Sequence, residues 1–283
     1  MSKFTFSNTV ALITGAASGI GRQLCLQAAQ GGAFVIGADI DEQGLAETQN
    51  LAQKMGKSID IYRLDVANAA EIEQFAAKIL PTLNNRKLIL INNAGVALAS
   101  GHFQDTELND FEWLININLW GVIRMTKAFY PYFIARNEGH IVNLSSVFGL
   151  GGIMSQTAYC TAKFGVRGFT ESLRMELLGT NIHTTCVHPG GIKTNIAQNA
   201  TPKGSFVTNE MHQKSIEQFE KMARTSAPQA AQLILNAVEK QQKRLVIGTD
   251  GRLLDWVTRL FPVAYSSIIK KQIEKVFTNP YNK

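Results

Sequence analysis

Short apolar runs alternate with helical patterns along most of the chain. Val10–Ile13, Phe34–Ala38, Ile59–Leu64, Leu88–Ile91, Ile141–Leu144 and Ile182–Val187 read as strands, each bounded by polar or turn residues. Between them, apolar positions at helical spacing predict helices over about Ile20–Gln30, Glu42–Met55, Ala70–Leu80, Leu108–Ala135 and Thr157–Leu178. Pro81 stops the third helix, and Pro131 lies near the end of the fourth. Ser226 as a cap and Pro228 in the first turn open one more helix, and Arg244–Ile247 reads as a final strand. The strands are apolar at successive positions rather than two-sided, as in a parallel sheet covered on both faces. Strict alternation needs crossover connections. With the right-handed crossover rule it predicts an α/β fold: a single-domain, Rossmann-type doubly wound parallel sheet of about seven strands with helices on both faces.

Two stretches break the rhythm. The segment from Gly191 to about Thr225 is rich in polar residues with interspersed Met and Phe, and predicts a lid at about 191–225 with a short helix near Asn209–Met222. In the tail, Leu253, Leu254, Trp256, Val257, Leu260 and Phe261 recur at helical spacing. Pro262 interrupts them, and Tyr265, Ile268, Ile269, Ile273, Val276 and Phe277 resume the pattern. The expected organisation is one domain over 1–251 and an amphipathic, basic C-terminal extension over 252–283, packed on the domain or on a subunit.

Composition narrows the class. A chain of 283 residues, 45% hydrophobic, suits one large core and excludes disorder over most of its length. Cys25, Cys160 and Cys186 have no paired spacing, so no disulfide scaffold and a reducing, cytoplasmic compartment are expected. No signal peptide and no long apolar span stand in the sequence. His102, His140, His183, His188 and His212 are scattered, and no metal site is expected. The formal charge is +6, and nine Lys or Arg against four Asp or Glu fall from Val238 onward. Concentration of charge in an amphipathic tail adds a second expectation for it, a peripheral contact with anionic membrane. No basic motif with interleaved aromatics occurs, so no nucleic-acid partner is expected.

The chemistry-bearing residues lie at strand ends. Thr14-Gly15-Ala16-Ala17-Ser18-Gly19-Ile20-Gly21 joins the first strand to the first helix. Glycines there allow a tight turn and close approach to a pyrophosphate, and the helix N-terminus offers free amides to the anion. Asp39 ends the second strand, 18 residues after Gly21, where a carboxylate accepts both ribose hydroxyls and repels a 2′-phosphate. No basic side chain adjoins it, so NAD is expected over NADP. Asp65-Val66 follows the third strand, where the Asp either meets adenine or caps a turn. Asn92-Asn93-Ala94-Gly95 follows the fourth, with amides suited to tying loops together. Tyr159 and Lys163 are spaced to share one helix face, and a nearby ammonium lowers a phenol's pKa.

Together with Asn118, Ser146, Pro189 and Gly190, these residues make the chain resemble the classical short-chain dehydrogenase/reductase (SDR) family, over roughly Thr9–Thr194 and more loosely to Gly248. The resemblance implies an oxidoreductase that moves a hydride between nicotinamide and an alcohol or carbonyl carbon. It implies Tyr159 as general acid or base, Lys163 on the nicotinamide ribose, Ser146 on the substrate oxygen and Asn118 on a relay water. Ser146 is preferred to Ser145 because the family's serine lies 13 residues before its tyrosine. Pro189, Gly190, Ile192 and Thr194 would border the nicotinamide. A homodimer or homotetramer is implied, with Trp113, Trp120 and Phe129 as sources of contact area, some of which must instead face the sheet. Val96, Phe148, Gly151, Ile153, Gly190 and Gly191, with Phe206, Val207, Met211 and Met222 of the lid, make a mostly apolar candidate pocket for a hydrophobic alcohol, ketone or aldehyde. An NADP-dependent carbonyl reductase is the nearest alternative, and a non-catalytic nucleotide-binding scaffold a more distant one.

Overall fold

The computed structural model describes residues 6–99, 102–194, 200–202, 213, 216–217 and 223–274. Seven parallel strands form the central sheet: β1 Thr9–Thr14, β2 Phe34–Asp39, β3 Ile59–Arg63, β4 Lys87–Asn92, β5 Gly139–Leu144, β6 Ile182–Pro189 and β7 Arg244–Ile247. The helices are α1 Gly19–Gln30, α2 Glu42–Lys54, α3 Ala69–Ile79, α4 Leu108–Ile115, α5 Gly121–Arg136, α6 Thr157–Glu176, α7 Ala227–Glu239, α8 Thr249–Leu260 and α9 Tyr265–Glu274. The spatial order of the strands is β7-β6-β5-β4-β1-β2-β3. The chain winds one way from β1 to β3 and the other from β4 to β7. A crevice therefore opens beyond the carboxyl ends of β1 and β4, where such sheets bind ligands.

Alternation within the strands feeds two cores. Ala11 and Ile13 of β1 pack with Leu24 and Cys25 of α1, Leu45 of α2 and Ile234 of α7. Val10 and Leu12 point to the other face, among Phe75 of α3, Phe129 and Phe133 of α5 and Leu173 of α6. This explains why the strands read as continuous apolar runs. It also decides which of the expected contact aromatics faces the sheet: Phe129 is fully buried in the second core and supplies no outer surface. All three cysteines are buried and unpaired. Ser226 and Gln229 cap α7 reciprocally, the Ser226 hydroxyl accepting the Gln229 backbone N–H at 3.3 Å and the Gln229 side-chain Oε1 accepting the Ser226 N–H at 3.0 Å.

The helix expected over Leu108–Ala135 is not uniform. A π-type turn at Asn116–Trp120 separates α4 from α5. Nothing in the apolar periodicity marks it, because one widened turn leaves the buried stripe continuous. Of the expected lid, Ile192–Lys193 pairs with Thr225–Ser226, and Thr201–Pro202 pairs with Leu98–Ala99. Phe206, Val207, Met211 and Met222 lie outside the described residues, as does most of Asn209–Met222. At the C-terminus, α8 begins before residue 252 and packs on the domain: Gly251 lies against Val147 and Val246, and the Tyr265 hydroxyl accepts the Gly152 N–H at 2.9 Å. Among the described residues no helix is long and apolar enough to cross a membrane.

Two buried imidazoles make stability depend on pH. Burial lowers the His140 pKa from 6.5 to about 3 and that of His188 to about 4. Both are neutral in the folded protein and take up protons on unfolding, so stability falls as pH drops below 6.5. Thermal or urea unfolding should lose several kcal/mol between neutral pH and about 4.5. A flat profile over that range would rule out neutral buried imidazoles.

Candidate active site

The cofactor end is built by close packing of three strand ends. The Thr14 hydroxyl accepts the backbone N–H groups of Asn93 and Ala94, each at 3.1 Å, while the Asn93 side-chain Nδ2 donates to the Thr14 carbonyl at 2.9 Å. These bonds clamp the β1 turn to the β4 turn. Gly15 has φ +71°, and a Cβ there would meet the Asn93 side chain at 2.6 Å. A Cβ on Gly21 would overlap the Gly15 carbonyl oxygen, so α1 sits closer to the turn than any other residue permits. Ser18 begins α1 without a side-chain cap, and the first turn carries no acidic residue. The amides of Gly19, Ile20 and Gly21 thus lie at a positive helix end that suits a pyrophosphate.

Asp39 closes the same end. Its carboxylate accepts the Ala17 N–H at 3.0 Å and the Asp41 N–H at 3.1 Å, holding the glycine loop against β2. Further lone pairs on the carboxylate suit ribose hydroxyls. Arg22, which the sequence did not single out, points away: it donates to Thr48, to the Ala17 and Gly44 carbonyls and to Glu47. Asp65 accepts the Ala67 N–H at 2.8 Å, the turn-capping arrangement, with buried Val66 beside it packed under Gly121. Asn92 is not at the crevice: its amide is buried and donates to Thr126 and Asn143 between sheet and helices. On the far side, Thr194 packs against Gly19, and the Gly191 N–H donates to Asp250 at 3.0 Å beside Gly190. This brings the end of β6 at Pro189 and the segment after it, with Gly190 and buried Ile192, to the glycine loop.

The chemical end gathers Asn118, Ser146, Tyr159 and Lys163. The Asn118 side chain, on the π-type turn, accepts the Val96 N–H and donates to the Val96 carbonyl, both at 2.8 Å. A Cβ on Gly95 would lie 3.1 Å from Asn118 Oδ1 and 3.6 Å from Lys163 Nζ, so Gly95 sits between those two side chains. Ser146 follows β5, and its hydroxyl accepts the Phe148 N–H at 3.2 Å. Ser145 points elsewhere and donates to the Lys163 carbonyl at 2.8 Å. Lys163 is buried, donates to the Leu144 carbonyl at 3.0 Å and lies 5.5 Å from the Tyr159 ring centre. Phe148 meets Tyr159 edge to face at 5.9 Å, with half-buried Ile153 on the same loop. His188, absent from the sequence-based site, lies beneath: its Nδ1 is 3.0 Å from the Ser146 carbonyl, and it is fully buried.

Burial governs the titration of this cluster. Tyr159 is pushed up to about 12, chiefly by desolvation, with a hydrogen bond to the Ser146 side chain pulling the other way. Lys163 is lowered to about 8 by the same cause. Without bound nicotinamide the loss of water dominates at Tyr159, and Lys163 donates one of its three N–H groups to the Leu144 carbonyl. Tyr159 is therefore a neutral phenol at physiological pH. Among the described residues no cluster of His, Cys, Asp or Glu could hold a metal ion.

Known proteins resemble this chain in sequence and fold. The family model for short chain dehydrogenases matches residues 9–205. The chain is 40% identical over 276 residues to SadH of Mycobacterium tuberculosis, a protein named as an oxidoreductase, covering 96% of this chain and 98% of that one. A solved short-chain dehydrogenase/reductase of Burkholderia phymatum in complex with NAD superposes with a TM-score of 0.78 at 27% identity, over 99% of both chains. A serine dehydrogenase complexed with NADP+ gives 0.73 at 27% identity, over 84% of this chain and 94% of that one. The chain is a member of the short-chain dehydrogenase/reductase family and an NAD(P)-dependent oxidoreductase.

Proposed function

We propose that the protein interconverts a hydrophobic alcohol and its ketone or aldehyde, with Tyr159 as general acid/base. The observation that carries this reading is the convergence of Ser146, Asn118 and Tyr159 around buried Lys163, whose ammonium lies 5.5 Å from the Tyr159 ring centre and beside Gly95 and Asn118. Bound nicotinamide supplies or accepts the hydride at C4. Ser146 donates to the substrate oxygen, Tyr159 passes it a proton or removes one, and Lys163 holds positive charge beside the phenol as that proton moves. Val96, Phe148 and Ile153 offer apolar walls on this side. A panel of hydrophobic alcohols with NAD+, and of the matching carbonyls with NADH, followed by nicotinamide absorbance, tests the assignment. Absence of turnover across the panel in folded, cofactor-binding protein would count against it.

Asp39 favours NAD, because a 2′-phosphate would face its carboxylate while Arg22 is committed elsewhere. Asp39→Ala should lower the ratio of kcat/KM for NAD over NADP by about tenfold, roughly 1.4 kcal/mol. Absolute affinity should fall for both cofactors, since the variant also releases the Ala17 and Asp41 amides. The ratio is therefore the readout, and a wild-type preference for NADP would defeat the reading. A second reading, NADP-dependent carbonyl reduction, draws support from the NADP+-bound relative and from the neutral Tyr159, which is already in the proton-donating form. We further propose a homo-oligomer, with exposed Trp120 and Phe164 among its contact residues.

A further inference from the structure

Helix α8 turns two unlike stripes in opposite directions. On the inner stripe, Gly251 meets Val147, and Leu254 and Thr258 pack on Gly151. Asp255, also on this stripe, accepts both Arg244 guanidinium nitrogens, at 2.6 and 3.0 Å. The outer stripe carries Leu253, Trp256 and Leu260, which are 67%, 64% and 63% exposed. The turn into α9 adds Phe261 at 50% and Val263 at 87%, and α9 adds Ile268 at 47%. So large a contiguous apolar ridge marks a surface that meets something other than water.

Its charge has one sign. Both acidic residues of α8 are held inward, Asp250 by the Gly191 N–H at 3.0 Å and Asp255 by Arg244. Arg259 also reaches Asp255, at 3.0 Å, so one carboxylate serves two guanidiniums. Arg252, Arg259 and Lys270 all stand exposed along this stretch. From Arg252 to the C-terminus the sequence holds six Lys or Arg against Asp255 and Glu274.

We propose that α8 and the turn into α9 dock in the interface of an anionic lipid bilayer. Trp256, Leu260 and Phe261 would enter the boundary between headgroups and chains, with Arg252 and Arg259 reaching the phosphates. Charge decides between this occupant and a second copy of the chain. Two-fold self-association would bring the exposed guanidiniums of both copies onto one patch whose nearest carboxylate, Asp255, is already shared by Arg244 and Arg259, whereas anionic headgroups supply the missing charge. Because Leu254, Thr258 and Tyr265 pack on the Gly151–Gly152 loop, docking would hold the Phe148 side of the active site beside the lipid surface. The proposal needs no assumption about the substrate or the preferred cofactor.

Flotation of the full-length protein with phosphatidylcholine vesicles, with and without phosphatidylglycerol, tests it. Binding is expected with the anionic vesicles at low salt, with weakening at high salt as the charges are screened. Arg252→Glu should lower partitioning by at least about fivefold, and Arg252→Glu/Arg259→Glu by more. Trp256→Ser/Leu260→Ser should lower it by at least about tenfold, while melting temperature and nucleotide binding stay at wild-type values. Failure of the wild type to float with anionic vesicles at low salt would overturn the proposal. Wild-type flotation by the Trp256→Ser/Leu260→Ser variant would overturn it too. So would light scattering that shows the same variant only dissociating an oligomer, since the ridge would then be a subunit contact.

Discussion

Tyr159→Phe is expected to lower kcat by about two to four orders of magnitude, the usual contribution of a positioned general acid or base. The substitution removes one oxygen from a half-buried ring and keeps the edge-to-face contact with Phe148, so the fold should be unaffected. Nucleotide binding, followed by fluorescence quenching or calorimetry, should stay within a few-fold of wild type. That split separates chemistry from binding, because an effect confined to the transition state lowers kcat and kcat/KM together. The wild-type pH profile adds an independent check. Tyr159 keeps its proton well above physiological pH, with its pKa pushed up to about 12, whereas Lys163 loses its charge near 8, so carbonyl reduction should decline above about pH 8 through Lys163 and not through loss of the phenol's proton. Near-normal turnover by Tyr159→Phe would refute its assignment as the proton-transferring group.

Lys163→Met should cost at least about a hundredfold in kcat/KM without lowering the melting temperature at neutral pH. The physical reason is that Lys163 is a poor choice for stability alone. Burial lowers its pKa from 10.5 to about 8, so the folded state carries an ammonium that would be better solvated in the unfolded chain. By linkage the penalty is on the order of 3 kcal/mol below pH 8 and disappears as pH rises towards 10.5. Methionine fills a similar volume without that cost, although it leaves the Leu144 carbonyl without its donor. A variant that is inactive yet at least as stable as wild type, with its relative advantage shrinking at high pH, would identify Lys163 as a residue kept for function. A sharp fall in melting temperature together with unchanged kcat/KM would assign it a structural role instead.

Local pattern carried much of this protein. The continuous apolar runs, with short helices between them, determined the seven-stranded parallel sheet because each strand must serve two cores, as Ala11 and Ile13 serve one and Val10 and Leu12 the other. The glycine positions were legible for a similar reason. Gly15 and Gly21 are required by backbone approach, and their spacing after a strand is itself the signal. The spacing of Tyr159 and Lys163 placed them on one helix face, and only their company of Ser146 and the glycine-rich turn, in the order of a known family, singled them out from an ordinary surface pair. Partnerships across space were not. Asn92 and Asn93 are neighbours in sequence, yet one faces the interior and the other clamps the β1 turn, because successive strand residues point to opposite sides. The π-type turn that presents Asn118 to Val96, the turning-in of Asp250 and Asp255 and the burial of Phe129 depend on neighbours distant in the chain. So do the upward shift of Tyr159 and the downward shift of Lys163, since desolvation is set by how much protein surrounds a group and not by the residues beside it in sequence.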